Sequence, residues 1–219
     1  MLDFLMISTR QGKRGVTEIY PKFVIKKSSD LMIRGGDFYA IWIAERGLWS
    51  TDEQDALDLI DRELDAYAQQ NKDKFEGVPR VLHMWDAESR MISSWHQYCQ
   101  KDMRDNFHML DEKLIFSNIE TNKKDYASKR LNYPLEPCDT PAYEKLISTL
   151  YSPEERHKIE WAIGSIVSGD SKKIQKFMVM YGAAGTGKST ILNIIQQLFE
   201  GYYSVFDAKA LGSSNNSFA

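Results

Sequence analysis

Apolar residues recur three and four apart at Leu57, Ile60, Leu64 and Tyr67, the spacing of one helical face. Ser50-Thr51-Asp52-Glu53 stands before them as a Ser-x-x-Glu capping box, so a helix is predicted over 52–70. A second stripe (Met91, Ile92, Trp95, Tyr98, Cys99, Met103) predicts another amphipathic helix from Ala87 to Met103. Further on, Thr140-Pro141 and Ser152-Pro153-Glu154-Glu155 are two successive helix-start signals. Tyr143, Leu146, Ile147 and Leu150 continue the first; Ile159, Ala162, Ile163, Ile166 and Val167 continue the second, to a stop at Gly169. Together they predict a helical hairpin.

Strand-like patterning is confined to shorter runs. Thr17–Ile25 reads as one strand, and 31–49 as a hairpin with turns at Arg34-Gly35-Gly36-Asp37 and Glu45-Arg46-Gly47 around the strand Phe38–Ile43. Lys113–Ser117, Lys176–Tyr181 and Tyr202–Phe206 read as further strands, and the chain finishes in a polar Gly/Ser/Asn run. Residues 8–16 are polar and glycine-punctuated, which predicts a mobile arm or loop. Asn71–Pro79 reads as a linker. The resulting organisation is a small β-rich and helical module at 1–75, a mainly helical domain at 76–170, and the start of a third domain at 171–219.

That third part carries the chemistry. After the apolar run Lys176–Tyr181 comes Gly182-Ala183-Ala184-Gly185-Thr186-Gly187-Lys188-Ser189, with the spacing G-x-x-x-x-G-K-[ST], and then the apolar run Thr190–Phe199 ended by Gly201. Strand, glycine loop and helix in this order form the setting in which the Walker A motif has meaning. Glycines at 182, 185 and 187 remove the β-carbons that would keep backbone N–H groups away from an anionic phosphate tail. The helix that follows aims its N-terminus at the same tail. Lys188 is expected to reach the β- and γ-phosphates of ATP, Ser189 to ligate Mg²⁺, and Thr190 to add a weaker phosphate contact. The competing reading is a flexible Gly/Ala turn. The expected fold class is an α+β N-terminal region, a β hairpin plus a helical domain, followed by the first β–P-loop–α unit of an α/β NTPase.

Composition narrows the rest. The 219 residues, 42% hydrophobic and 27% charged, can build a core. A net charge of -3 gives no global argument for a nucleic-acid partner. Locally, Lys123, Lys124, Lys129 and Arg130 are the best upstream candidates for phosphate contact, followed by Arg10, Lys13 and Arg14; for both groups a solvated basic loop is the preferred reading. Trp42 and Trp49 read as packing residues in preference to base-stacking platforms. The carboxylates Asp55, Asp58, Asp61 and Asp65 read as a solvated helix face. His83, His96, His108 and His157 lack metal-ligand spacing and read as structural or surface residues. Two cysteines, Cys99 and Cys138, fit a reducing interior. No run reaches the roughly 18 apolar residues of a membrane span, and an intracellular protein with no membrane partner is expected.

The loop, together with Gly47-Leu48-Trp49 behind an aromatic β segment and the helical hairpin that feeds the loop, resembles the superfamily-three helicases of viruses, phages and plasmids. The similarity is to the poxvirus and phage type of primase-helicase NTPase, over Phe38–Thr51, Asp111–Asn118, Thr140–Gly169 and Phe177–Tyr203. It implies an ATP-driven hydrolase in DNA replication, a hexameric DNA helicase in the cytoplasm of an infected host cell. Only Gly182, Gly185, Gly187, Lys188, Ser189 and Thr190 carry over as functional positions. The family's later acidic, polar and arginine motifs have no counterpart in the 30 residues after Ser189, so the chain reads as an N-terminal portion that binds nucleotide and hydrolyses it negligibly. No alternating acidic pair supports priming. Two other readings stand beside this one: a non-catalytic DNA-binding or oligomerisation module over 1–170 with an ATPase remnant, and a P-loop kinase.

Overall fold

The computed structural model describes residues 2–24, 27–34, 38–87, 90–101 and 106–205. Ile25, residues 35–37 of the expected turn, Met103 and Phe206 lie outside them, as does the polar run after Phe206. The architecture is α+β, and the chain divides into two compact units: residues 1–112 with 120–128, and 113–119 with 129–219.

The first unit is built on two small sheets. Strand β1 (Leu5–Gln11) runs antiparallel to β2 (Thr17–Phe23), and the two-residue strand β6 (Arg80–Val81) adds to β2 in parallel. The second sheet is the meander β3 (Leu31–Arg34), β4 (Phe38–Ile43) and β5 (Leu48–Ser50). Residues 8–11 are therefore no mobile arm. Their backbone groups pair with β2, and the register sets Arg10 opposite Glu18, whose carboxylate accepts from its Nε at 2.8 Å. Opposite charges at directly paired positions favour this register.

Helices α1 (Glu53–Gln70) and α2 (Met91–Lys101) cover the first unit's core. Their predicted faces are the buried ones: Leu57, Ile60 and Leu64 join Trp95, Tyr98 and Cys99 in one cluster with Phe4, Ile19, Leu31 and Ile41. The cap of α1 differs from expectation. Asp52 accepts from the Gln54 N–H at 2.9 Å, while the Ser50 hydroxyl donates to Asp55. Because the helix begins at Glu53, Ser50 stands too early to reach the orphan donors of the first turn.

In the second unit, α3 (Pro141–Leu150) and α4 (Pro153–Val167) form the expected hairpin. Ser152 and Glu155 exchange capping-box bonds, whereas the Thr140 side chain makes no cap hydrogen bond. Gly169, at φ 74°, follows α4 in the left-handed conformation that stops a helix. Arg156 ties the two helices by donating to Glu144 at 2.6 and 2.8 Å and to Glu160 at 2.7 Å. Ile147 and Ile159 pack with Ile191 of α6 (Lys188–Leu198), while Ile166 and Leu192, expected to be covered, are 39% and 45% exposed. A single helical turn, α5 (Ser171–Ile174), lies between α4 and the glycine loop.

Three expected strands are not strands. Lys113–Ser117 buries Ile115 and Phe116; Leu131 N–H donates to Ile115 O, Ser117 N–H to Tyr133 O and Ile115 N–H to the Tyr202 hydroxyl, contacts that fall short of a ladder. Lys176–Tyr181 has no regular structure, with Phe177 and Tyr181 89% and 99% exposed. Tyr202–Val205 is turn and coil. An extended run becomes a strand when a neighbour supplies its hydrogen bonds, and among the described residues none does so for these segments.

Candidate functional site

The glycine loop is shaped by three positive-φ glycines: Gly182 at φ 155°, Gly185 at 79° and Gly187 at 78°. Gly187 is the residue from which α6 starts, and its carbonyl accepts the N–H of Ile191 at 3.1 Å. No side chain caps this end of the helix. The N–H groups of its first turn thus stay available on the loop side.

Lys188 bends back into the loop. Its ammonium donates to Gly182 O at 2.9 Å, Ala183 O at 2.5 Å and the Thr186 hydroxyl at 3.0 Å. Thr186 in turn donates to Ala183 O at 3.0 Å. All three ammonium hydrogens are used, so Gly182, Ala183, Thr186 and Lys188 form one closed hydrogen-bonded ring. Ala184 and Gly185 make the exposed turn of that ring. Ser189 and Thr190 stand exposed on the first turn of α6.

A cleft of about 350 Å³ opens beside the loop, lined by Tyr151, Glu155, Lys158, Met180, Gly182 and Lys188 among others. Tyr151 was not singled out by the sequence. It follows the last residue of α3, and its hydroxyl is buried with no hydrogen-bond partner among the described residues. Burial raises the pKa of this phenol, and the nearby Glu155 raises it further. Only the packing of α3 against α4 brings Tyr151, Glu155 and Lys158 to the loop, and no local pattern announces it. Below the cleft, Ile191 is 1% exposed against Ile147 and Ile159, which anchors the first turn of α6 to the hairpin.

Several of the other candidate residues have structural partners. The Lys123 ammonium forms an ion pair with the buried Asp30, which leaves it poorly placed for phosphate. The Lys129 ammonium lies 5.8 Å from the centre of the Tyr202 ring. Trp49 is 2% exposed, donates its indole N–H to Lys123 O at 3.0 Å and meets Trp42 edge-on at 5.9 Å. This is packing.

The acidic face of α1 is less solvated than expected. Asp61 accepts the Met84 N–H at 2.8 Å, Asp65 meets His83 at 2.8 Å, and Asp55 accepts from Ser50 and Arg46. Those two donors, Ser50 ahead of Arg46, hold the Asp55 carboxyl below its ordinary range. His96 meets Glu53 at 2.7 Å, and His108 stacks on Tyr126 at 4.3 Å. Among the described residues, no group of three or more His, Cys, Asp and Glu is arranged to hold a metal ion, and no helix is long and apolar enough to cross a membrane. Comparison with family models, with curated proteins and with solved structures finds no match to this chain.

Proposed function

We propose that this chain is the nucleotide-binding portion of an ATP-driven DNA helicase of the viral and phage superfamily-three type, holding ATP and Mg²⁺ at Gly182–Thr190. The observation that carries the reading is the ring closed by Lys188 over the carbonyls of Gly182 and Ala183 at the uncapped start of α6. In this reading the phosphate tail takes the place of those carbonyls on the ammonium. An anionic phosphate oxygen adds a charge–charge attraction that the uncharged carbonyls lack.

Gly182, at φ 155°, holds a backbone conformation that L side chains rarely adopt. In this reading the N–H groups of the loop and of the first turn of α6 bind phosphate oxygens, Lys188 neutralises the β- and γ-phosphates, and the Ser189 hydroxyl supplies one ligand to Mg²⁺. The metal's contribution is to neutralise phosphate charge. Gly182, Gly185 and Gly187 allow the approach. The one carboxylate lining the cleft among the described residues is Glu155, and it is engaged with Ser152 in the cap of α4. Binding without appreciable turnover by this chain follows. A hexameric assembly on DNA at a replication fork belongs to the same reading through the resemblance.

Titration with a fluorescent ATP analogue in Mg²⁺ tests it. Saturable binding that weakens at least about tenfold in Lys188→Ala, with an unchanged circular dichroism spectrum, is expected. Absence of binding, or equal binding by the variant, overturns the reading. Steady-state ATP turnover abolished by Lys188→Ala would overturn the statement about hydrolysis.

A further inference from the structure

We propose that the first unit carries a binding trough for a single strand of nucleic acid, separate from the glycine loop. Two concavities meet along the β1–β2 hairpin. One, of about 950 Å³, is lined by Arg10, Lys13, Arg80 and Arg90, with Glu18 as the one carboxylate among the described residues that line it. The other, of about 590 Å³, is lined by Tyr20, Lys22, Phe23 and Met91 and again by Arg10. Arg10 belongs to both walls, and the adjacent residues Arg90 and Met91 line one concavity each. Guanidinium groups thus pass directly into an aromatic, apolar floor.

This juxtaposition has a chemical reading. Two of these cations, Arg10 and Arg80, are paired with Glu18 and Asp86; Lys13 and Arg90 add positive charge beyond those pairs, in a chain whose net charge is -3. A guanidinium matches a phosphate in planar, bidentate geometry. A lone anion would need only the first concavity. The aromatic floor beside it suits a flat, uncharged group joined to that anion, and a repeating phosphate-and-base chain supplies both.

The contacts already present leave Arg10 able to face a phosphate. Arg10 pairs with Glu18 at 2.8 Å and Arg80 with Asp86 at 3.0 Å; the arginine side chains are 51% and 45% exposed, the carboxylates 14% and 20%. A guanidinium carries five N–H donors, so Arg10, which meets Glu18 through Nε, can keep that carboxylate while it meets a phosphate. The Tyr20 ring is met by Arg10 at 5.0 Å and by Lys22 at 5.6 Å. A base stacked on that ring buries both faces' apolar area and outweighs an exposed cation–ring contact. The displaced Lys22 ammonium then meets the phosphate on the same strand. Gly12 lets the Glu18 side chain pack against it, because a β-carbon there would lie 2.7 Å from that side chain.

Fluorescence anisotropy of a labelled oligothymidylate about 20 nucleotides long, in EDTA and without nucleotide, tests the proposal independently of the ATP reading. Expected is binding whose log affinity falls linearly with log salt. Lys13→Gln and Arg90→Asn, at exposed positions, should each lower the slope by about 0.7. Tyr20→Leu should weaken binding about tenfold with the slope unchanged. Absence of binding at low salt overturns the proposal, as does full retention of affinity and slope in both cation variants. Displacement by inorganic phosphate as effective, per phosphate, as displacement by longer oligonucleotides would show a lone anion site, and overturns the strand reading.

Discussion

Leu150 closes over Gly187: a β-carbon on that glycine would lie 2.7 Å from Cδ1 and 3.0 Å from Cδ2 of Leu150. The last residue of α3 therefore packs directly on the residue from which α6 starts. Helix packing and loop conformation are one constraint at this point.

Gly187→Ala meets two penalties, the clash and a left-handed φ of 78° that costs an L-residue about 1–2 kcal/mol. Loss of both thermal stability and ATP-analogue binding is expected. Adding Leu150→Ala should recover part of the stability by removing the clash, and none of the backbone strain. Equal behaviour of the single and double variants in thermal melts would show that Leu150 does not hold the loop.

Asp61→Asn probes a partly buried carboxylate. Burial holds the Asp61 carboxyl above its ordinary range, ahead of the opposing Met84 hydrogen bond and the nearby His83. The folded state therefore binds this proton more tightly than the unfolded state. Its contribution is fully present below the unfolded value of about 3.9 and is lost as pH rises through the folded value. Asparagine keeps an acceptor for the Met84 N–H and never ionises. The variant's stability relative to the parent, from urea unfolding, should rise with pH across that window and level off above it. A difference that stays constant with pH would sink this account.

Two helices that share a proline start should respond differently to loss of the residue before the proline. Ser152→Ala removes a cap bond that the structure contains and should cost about 1 kcal/mol. Thr140→Ala removes none and should stay within about 0.5 kcal/mol. Chemical denaturation of the two variants side by side would decide it, and equal losses would contradict the distinction.

The cysteines should separate by reactivity. Cys138 is exposed, while Cys99 is 1% exposed and burial pushes its thiol up to about 12. With a thiol reagent near neutral pH, Cys138 should react in the native protein and Cys99 only after denaturation, since the thiolate is the reactive form. Rapid labelling of both in the native state would refute the buried placement of α2.

The helices were legible because their signals are local. Leu57, Ile60 and Leu64 repeat at the helical period within one segment, and the core face of α1 is the face they mark. The capping box at Ser152 and the stop at Gly169 lie within a few residues of what they cap. The glycine loop was legible for a similar reason. Its φ values and the return of Lys188 to Gly182 involve residues no more than six apart.

Partners distant in sequence decided the remainder. Residues 8–11 pattern as a polar arm, and pairing with β2 makes them strand; Lys176–Tyr181 patterns as a strand, and no described segment pairs with it. Lys123 looks like a phosphate contact until Asp30, 93 positions away, takes its charge. Tyr151, silent in the sequence, is brought to the loop by the turn between α3 and α4. Helix periodicity, the capping box at Ser152 and the glycine loop were fixed by bonds that close within a few residues, so the amino-acid order alone specifies them. Strand identity, ion-pair partners and the walls of both candidate sites depend on contacts across long chain separations, and only the folded arrangement determines those.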